Sequence, residues 1–215
     1  MNRTRRNTVL VMALAAIGAS RLALAQQPGV NYSVLKPEQP VHAPQGKIEV
    51  LEFFWYGCIH CYNLEPPLEQ WLRKLPPDVQ FRRIPAIFND RWGHDAAIFY
   101  SLEAMGVGER LHRPLFDAIH VDRLRTDDSK AFDAWLQKQG VDAKRFEDVM
   151  KSFGVQSRLR QARQVTIAYG IDGTPTMAVH GRYTIGTDQG GSLRGMLSVV
   201  DYLIPLARKS LSAAR

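Results

Sequence analysis

Cys58 and Cys61 are the only cysteines in the chain, and they sit in the stretch FFWYGCIHCY with His60 between them. A C-x-x-C pair can clip a loop, supply half of a zinc site or cycle between dithiol and disulfide. The clip is the poorest of the three. So small a loop constrains the unfolded chain little, because loop-closure entropy grows with loop length. Zinc needs further ligands. There is no second C-x-x-C, and His42, His94, His112, His120 and His180 are scattered. Those five histidines read as ordinary surface or capping residues. A redox pair needs only what is local. The thiolate is the nucleophile, and a helix N-terminus favours it through unpaired N–H groups and the positive end of the dipole. Cys61, one turn on, faces the same way within bridging reach. His60 can add charge or a donor when protonated.

The size of the effect matters. A Cys58 pKa lowered from about 8.5 to about 4.5 would stabilise the reduced form at pH 7 by roughly 3.4 kcal/mol. For a two-electron couple that is on the order of 75 mV toward a stronger oxidant. The same shift makes Cys58 a good leaving group.

The elements that must hold this pair are legible on either side of it. KIEVLEFFWY (residues 47–56) is nearly continuous and apolar, as a strand covered on both faces would be. A helix is predicted over 59–75, kinked at Pro66 and ended by Pro76-Pro77. VQFRRIPAIF (79–88) reads as the next strand, and YSVL (32–35) as a short edge strand. From about 90 to 169 no strand pattern occurs. Five segments with helical spacing fill that stretch, most of them ending at glycine, with Asp127 or Asp142 as N-caps. In the fifth, Val155, Leu159, Ala162 and Val165 or Thr166 trace one face. TPTMAVHGRYTIG then reads as a hairpin turning at His180-Gly181, and a final amphipathic helix starts from a Ser192 cap. The order β–α–β, helices, β–β–α predicts an α/β fold with an all-helical insertion. The expected division is 26–89 with 170–215 as one unit and 90–169 as the insert.

The 215-residue chain opens with Arg3, Arg5 and Arg6, an apolar stretch from Val9 to Ala19, and Ala23-Leu24-Ala25. This is the pattern of a cleavable signal peptide over residues 1–25, and its apolar run is too short to span a bilayer. Both general and twin-arginine export fit the flanking residues. The segment carries four arginines and no acid, so without it the formal charge falls from +7 to +3. So mild a charge gives no footing for nucleic-acid binding. Export also places the two cysteines in a compartment that permits disulfides.

On FFWYGCIHCY, Glu52 six residues before Cys58, the helical insertion and the late Thr174-Pro175, the chain resembles the DsbA family of the thioredoxin superfamily across its mature length. The resemblance implies a thioredoxin fold and a periplasmic dithiol oxidase. Cys58 would form the mixed disulfide with substrate and Cys61 would be its buried partner. His60 would stabilise the Cys58 thiolate. Glu52 would be a buried acid beneath the site that helps move protons, although taken alone it reads equally well as an outward-facing strand residue. Pro175 would be a cis-proline facing the disulfide and holding a substrate strand with Thr174. Two departures stand out. Ile59 replaces a proline, which restores a backbone N–H and removes a rigid ring. Thr174 places a hydroxyl where a β-branched aliphatic residue is usual, which could alter release of the mixed disulfide.

The resemblance further implies reduced, unfolded exported proteins as substrates and a membrane oxidase of the DsbB type as the reoxidising partner. It implies no metal and no cofactor beyond the Cys58–Cys61 disulfide, and a monomer, because no dimerisation segment precedes residue 47. A dithiol reductase, an isomerase and a peptide-binding chaperone are the competing expectations.

Overall fold

The structure, a computed structural model, describes residues 26–213. The expected signal segment lies outside the described residues. One mixed sheet forms the frame, with strands β1 (Ser33–Val34), β2 (Ile48–Phe54), β3 (Val79–Pro85), β4 (Thr176–Val179) and β5 (Tyr183–Gly186) in the spatial order β1-β5-β4-β2-β3. β2 runs parallel to β3 and antiparallel to β4. Every residue of β2 is buried, which explains its nearly continuous apolar pattern.

Between β2 and β3 runs α1 (Ile59–Leu72), and between β3 and β4 come α2 (Asp90–Ala104), α3 (Gly108–His120), α4 (Ser129–Lys138), α5 (Ala143–Met150) and α6 (Phe153–Ala168). A single turn, α7 (Thr187–Gly190), and the long α8 (Leu193–Ala213) complete the fold. Two apolar clusters flank the sheet. Ile48, Val50, Leu64, Leu68 and Leu203 join β2 to α1 and α8 on one side. Leu51, Phe53, Phe99, Ala162 and Tyr169 join it to the inserted helices on the other, and this cluster also takes in Cys58 and Cys61. The alternation of side chains along β2 therefore sends Glu52 to the same face as Ile48 and Val50, beneath α1.

Several boundaries differ from the sequence reading. α1 ends at Leu72 rather than Leu75, and it passes through Pro66 and Pro67 as one helix. β3 stops at Pro85 rather than Phe88, although the Ala86 N–H still donates to the Phe54 carbonyl at 2.9 Å. Asp128, not Asp127, caps α4 by accepting from the Ala131 N–H at 3.0 Å, while Asp127 pairs with Arg125 at 3.1 Å. Asp142 does cap α5, accepting from the Arg145 N–H at 2.8 Å. In α6, Val155, Ala162 and Thr166 are buried. The hairpin turns where expected: His180 and Gly181 have φ of 52° and 66°, and the Arg182 N–H donates to the Val179 carbonyl at 3.0 Å. Positive φ at both central residues is the two-residue turn whose twist matches the flanking strands.

Candidate active site

The pair sits at the carboxyl end of β2, where the chain turns into α1. The Cys58 N–H donates to the Trp55 carbonyl at 3.0 Å, closing the turn. Cys58 is the N-cap of α1, with extended backbone at φ −87° and ψ 115°, and its carbonyl accepts the first helical bond from the Tyr62 N–H at 3.1 Å. Its own side chain caps nothing, so the sulfur is left facing the orphan N–H groups of the first turn. Both cysteines are free thiols in this structure. Their environments differ. Cys58 is 9% exposed and Cys61 is fully enclosed.

That asymmetry is also electrostatic. The Cys58 thiol is held at about 5. The Cys61 thiol, hydrogen-bonding to its sulfur, contributes most. Burial opposes it, and the Thr174 side chain and the backbone N–H groups of Cys61 and His60 add to the lowering. Cys61 moves the other way. Burial raises it well above the usual thiol range, and the bond to Cys58 and the charges of Cys58 and Glu52 push in the same direction. At neutral pH the dithiol therefore holds one thiolate, on Cys58, and one proton, on Cys61.

The loop that faces the pair comes from the other end of the chain. The Thr174–Pro175 peptide is cis. In its thiol form Cys58 donates to the Thr174 carbonyl at 3.2 Å, across 116 positions of sequence. Thr174 and Pro175 border a cavity of about 490 Å3 that continues along Ile171, Thr184 and Asp188. Ile59 is exposed, and so is His60. His60 reaches the site through its backbone N–H, which is among the groups that lower Cys58.

Beneath the pair lies a buried charge cluster. Glu52 is fully enclosed and accepts from Arg83 Nε at 3.1 Å; its other oxygen, Oε1, has no hydrogen-bond partner. Arg83 Nη2 donates to both oxygens of Glu65, at 3.2 and 3.1 Å. His112 Nε2 lies 3.3 Å from Glu65 Oε1, and His112 Nδ1 lies 3.0 Å from the Tyr56 hydroxyl. Burial raises the Glu52 carboxyl to about 8; Arg83 opposes the rise, and Glu65 and Cys58 reinforce it. For Glu65, burial is outweighed by His112 and Arg83, and the carboxyl is lowered. Burial also lowers His112 and raises Tyr56, so the imidazole is neutral and the phenol keeps its proton.

The placement of His112 corrects the expectation that the remaining histidines are surface or capping residues. His112 is 6% exposed and stands among Phe54, Phe99 and Phe116. His120 also turns inward: it stacks on Tyr62, and its Nε2 lies 2.8 Å from the Tyr56 carbonyl. Glu65, Arg83 and Tyr56 likewise escaped the sequence reading. The one available signal was polar residues inside otherwise apolar patterns, Glu65 on α1 and Arg83 in β3. Among the described residues no cluster of His, Cys, Asp and Glu is arranged to hold a metal, and no helix is long and apolar enough to cross a membrane.

Comparison with known proteins agrees with this geometry. A family model described as "DSBA-like thioredoxin domain" matches residues 94–197. The thiol:disulfide interchange protein DsbA of Burkholderia cepacia is 39% identical over 196 residues, spanning 91% of this chain and 92% of the relative. That of Bordetella pertussis is 41% identical over 203 residues, spanning 93% and 96%. The crystal structure of Pseudomonas aeruginosa DsbA superposes with a TM-score of 0.80 at 38% identity, over 86% of this chain and 95% of that one. With the thioredoxin-like sheet, the helices inserted between β3 and β4 and this degree of identity over nearly the whole length, the chain belongs to the DsbA family.

Proposed function

We propose that this chain is a thiol:disulfide oxidoreductase that donates a Cys58–Cys61 disulfide to exported proteins in the periplasm. The observation that carries the reading is the opposed ionisation of two adjacent sulfurs, Cys58 lowered to about 5 and Cys61 raised. A substrate thiolate attacks Cys58, the more accessible sulfur. The Cys58–Cys61 bond breaks, its electron pair goes to Cys61, and Cys61 takes up a proton. A second substrate thiolate then attacks the substrate sulfur of the mixed disulfide and expels Cys58, which leaves as the stabilised thiolate. The substrate gains a disulfide and the enzyme is left as a dithiol. Because the reduced state holds its charge so well, the equilibrium favours giving the disulfide away.

Thr174 and Pro175 hold the substrate segment over Cys58, with the adjoining groove as its bed. Ile59 and His60 supply the exposed rim beside Cys58. Glu52 is the proton carrier for Cys61. The disulfide is the only redox group required, and a membrane oxidase of the DsbB type restores it. Residues 26–89 and 170–215 form the thioredoxin-like unit, residues 90–169 the helical insert, and residues 1–25 the export signal of a monomeric enzyme.

The test is oxidative refolding of a reduced, unfolded substrate. Cys58→Ser abolishes turnover, and Cys61→Ser accumulates substrate as a mixed disulfide on Cys58. Turnover by Cys58→Ser at the wild-type rate would refute the mechanism. A glutathione titration that returned a potential as low as thioredoxin's would make the protein a reductase instead.

A further inference from the structure

Two buried carboxyls, Glu52 and Glu65, share one cation, Arg83. Such a pair does not hold two negative charges comfortably, and one proton is retained between them. Which carboxyl keeps it decides whether it is useful, because the charge of Glu52 acts on Cys61. The donors are unequally distributed. Glu52 receives one bond from Arg83 and has an unpartnered Oε1, whereas Glu65 receives Arg83 Nη2 on both oxygens and faces His112 Nε2 as well.

The tautomer of His112 follows from its other neighbour. The Tyr56 hydroxyl is buried, keeps its proton and, among the described residues, meets no hydrogen-bond acceptor but Nδ1, so it donates there and Nδ1 is unprotonated. The ring proton of the neutral imidazole is therefore on Nε2, directed at Glu65 Oε1. The groups that face His112 are Glu65 on α1, Arg83 on β3, Arg113 on its own helix and Tyr56 before α1, and the charge of Glu103 on α2 acts on Tyr56. Burial, with the charges of Arg83 and Arg113, keeps the ring neutral against Glu65.

We propose that His112 is a positioning residue: by donating to Glu65 Oε1 alongside Arg83, it keeps Glu65 ionised and leaves the cluster's single proton on Glu52, beneath the cysteine pair. The proposal rests on the reading of Cys58 and Cys61 as the reacting pair. When the substrate thiolate attacks Cys58, the departing Cys61 sulfur takes the proton of Glu52, and the new Glu52 carboxylate is held by Arg83. In the reverse direction, when the dithiol is reoxidised, Cys61 returns that proton as its sulfur attacks. Tyr56 orients the ring, and Glu65 takes no part in the transfer. His112 and Arg83 also border a cavity of about 620 Å3 between β3 and the inserted helices, so water reaches this side of the cluster.

The experiment follows glutamate carboxyl resonances by carbon NMR across a pH series in the reduced, full-length mature protein, with Glu52→Gln assigning the Glu52 signal. The wild-type Glu52 midpoint is expected near 8. His112→Phe keeps an aromatic ring among Phe54, Phe99 and Phe116 but removes the donor, and it lowers the Glu52 midpoint by about one pH unit while raising that of Glu65. His112→Gln, which can still donate to Glu65, returns both midpoints most of the way. A Glu52 midpoint unmoved in folded His112→Phe, or moved equally by Phe and Gln, overturns the proposal. If His112→Phe does not fold, Glu65→Gln decides: it must lower the Glu52 midpoint, since Arg83 then serves Glu52 alone, and no change overturns the assignment. The readout is a carboxyl and not turnover. Failure of the oxidase reading, seen with Cys58→Ser, is thus distinct from failure of this one.

Discussion

Cys58 owes its properties to position more than to any one neighbour. Four donors converge on its sulfur: the Cys61 thiol, the Thr174 side chain and two backbone N–H groups of the first turn of α1. Each stabilises the thiolate and none is satisfied as well by the thiol, so the pKa falls. Thiolate absorbance in the reduced protein should titrate with a midpoint of about 5. A midpoint near that of free cysteine would remove the basis for a strong oxidant. Thr174→Val deletes one donor to a charged acceptor, and the midpoint should rise by about one unit, with a matching fall in oxidising strength. An unchanged midpoint would show that the hydroxyl does not reach the thiolate.

At the scale of elements, the turn from β2 into α1 is what aims the cysteine. Trp55 is clamped there: its Nε1–H donates to Asp95 at 2.7 Å and its ring stacks on Trp92 at 4.3 Å. Gly57 fits beneath that ring, and a Cβ at this position would lie only 2.3 Å from the Trp55 ring. The clash cannot be relieved by a small rotation, because the indole is held at both its edge and its face. Gly57→Ala should displace Trp55, cost about 1–3 kcal/mol and alter the near-ultraviolet circular dichroism. A variant with wild-type stability and spectrum would show that the turn is not constrained by this packing. The inserted helices are built on ordinary caps. Asp142→Ala, which removes the N-cap of α5, should cost about 1 kcal/mol in denaturant unfolding without moving the Cys58 titration. A change in both would mean that the insert and the thiol respond together.

For the whole molecule, the lowered thiol links stability to pH and to redox state. Cys58 ionises at about 5 in the folded dithiol. In an unfolded chain it ionises at about 8.5. A group lowered by folding contributes stability that is complete above its unfolded pKa and is lost as pH falls through its folded pKa. At pH 7 the contribution is about 2.7 kcal/mol, less what solvent screening removes at this partly open site. The disulfide form has no thiolate and lacks it. The reduced protein should therefore gain stability over the oxidised one as pH rises from about 5 to about 8. Glu52, raised by folding to about 8, acts in the opposite sense within this window but is present in both redox forms, and Cys61, raised by burial, acts in the opposite sense above it. Calorimetry of both redox forms across the window checks this, and a difference independent of pH would contradict the lowered thiol.

The sequence alone determined the features that are local along the chain. C-x-x-C at a strand–helix junction, the nearly continuous apolar run of β2, the helical spacing of α2 to α6 and the His180-Gly181 turn are each written in a few consecutive residues. Local hydrogen bonding and side-chain periodicity suffice to read them, and the resemblance to the DsbA family added Glu52 and Thr174-Pro175 by their places in the chain. What only the tertiary structure decided was which polar groups share an interior. Cys58 meets Thr174 across 116 positions, Glu52 meets Arg83 across 31 and Glu65 meets His112 across 47. No short-range pattern encodes such pairs. A carboxylate or an imidazole in a sequence looks the same whether it faces water or a buried guanidinium. The folded sheet removes the water, and only then do those few charges determine where a proton rests.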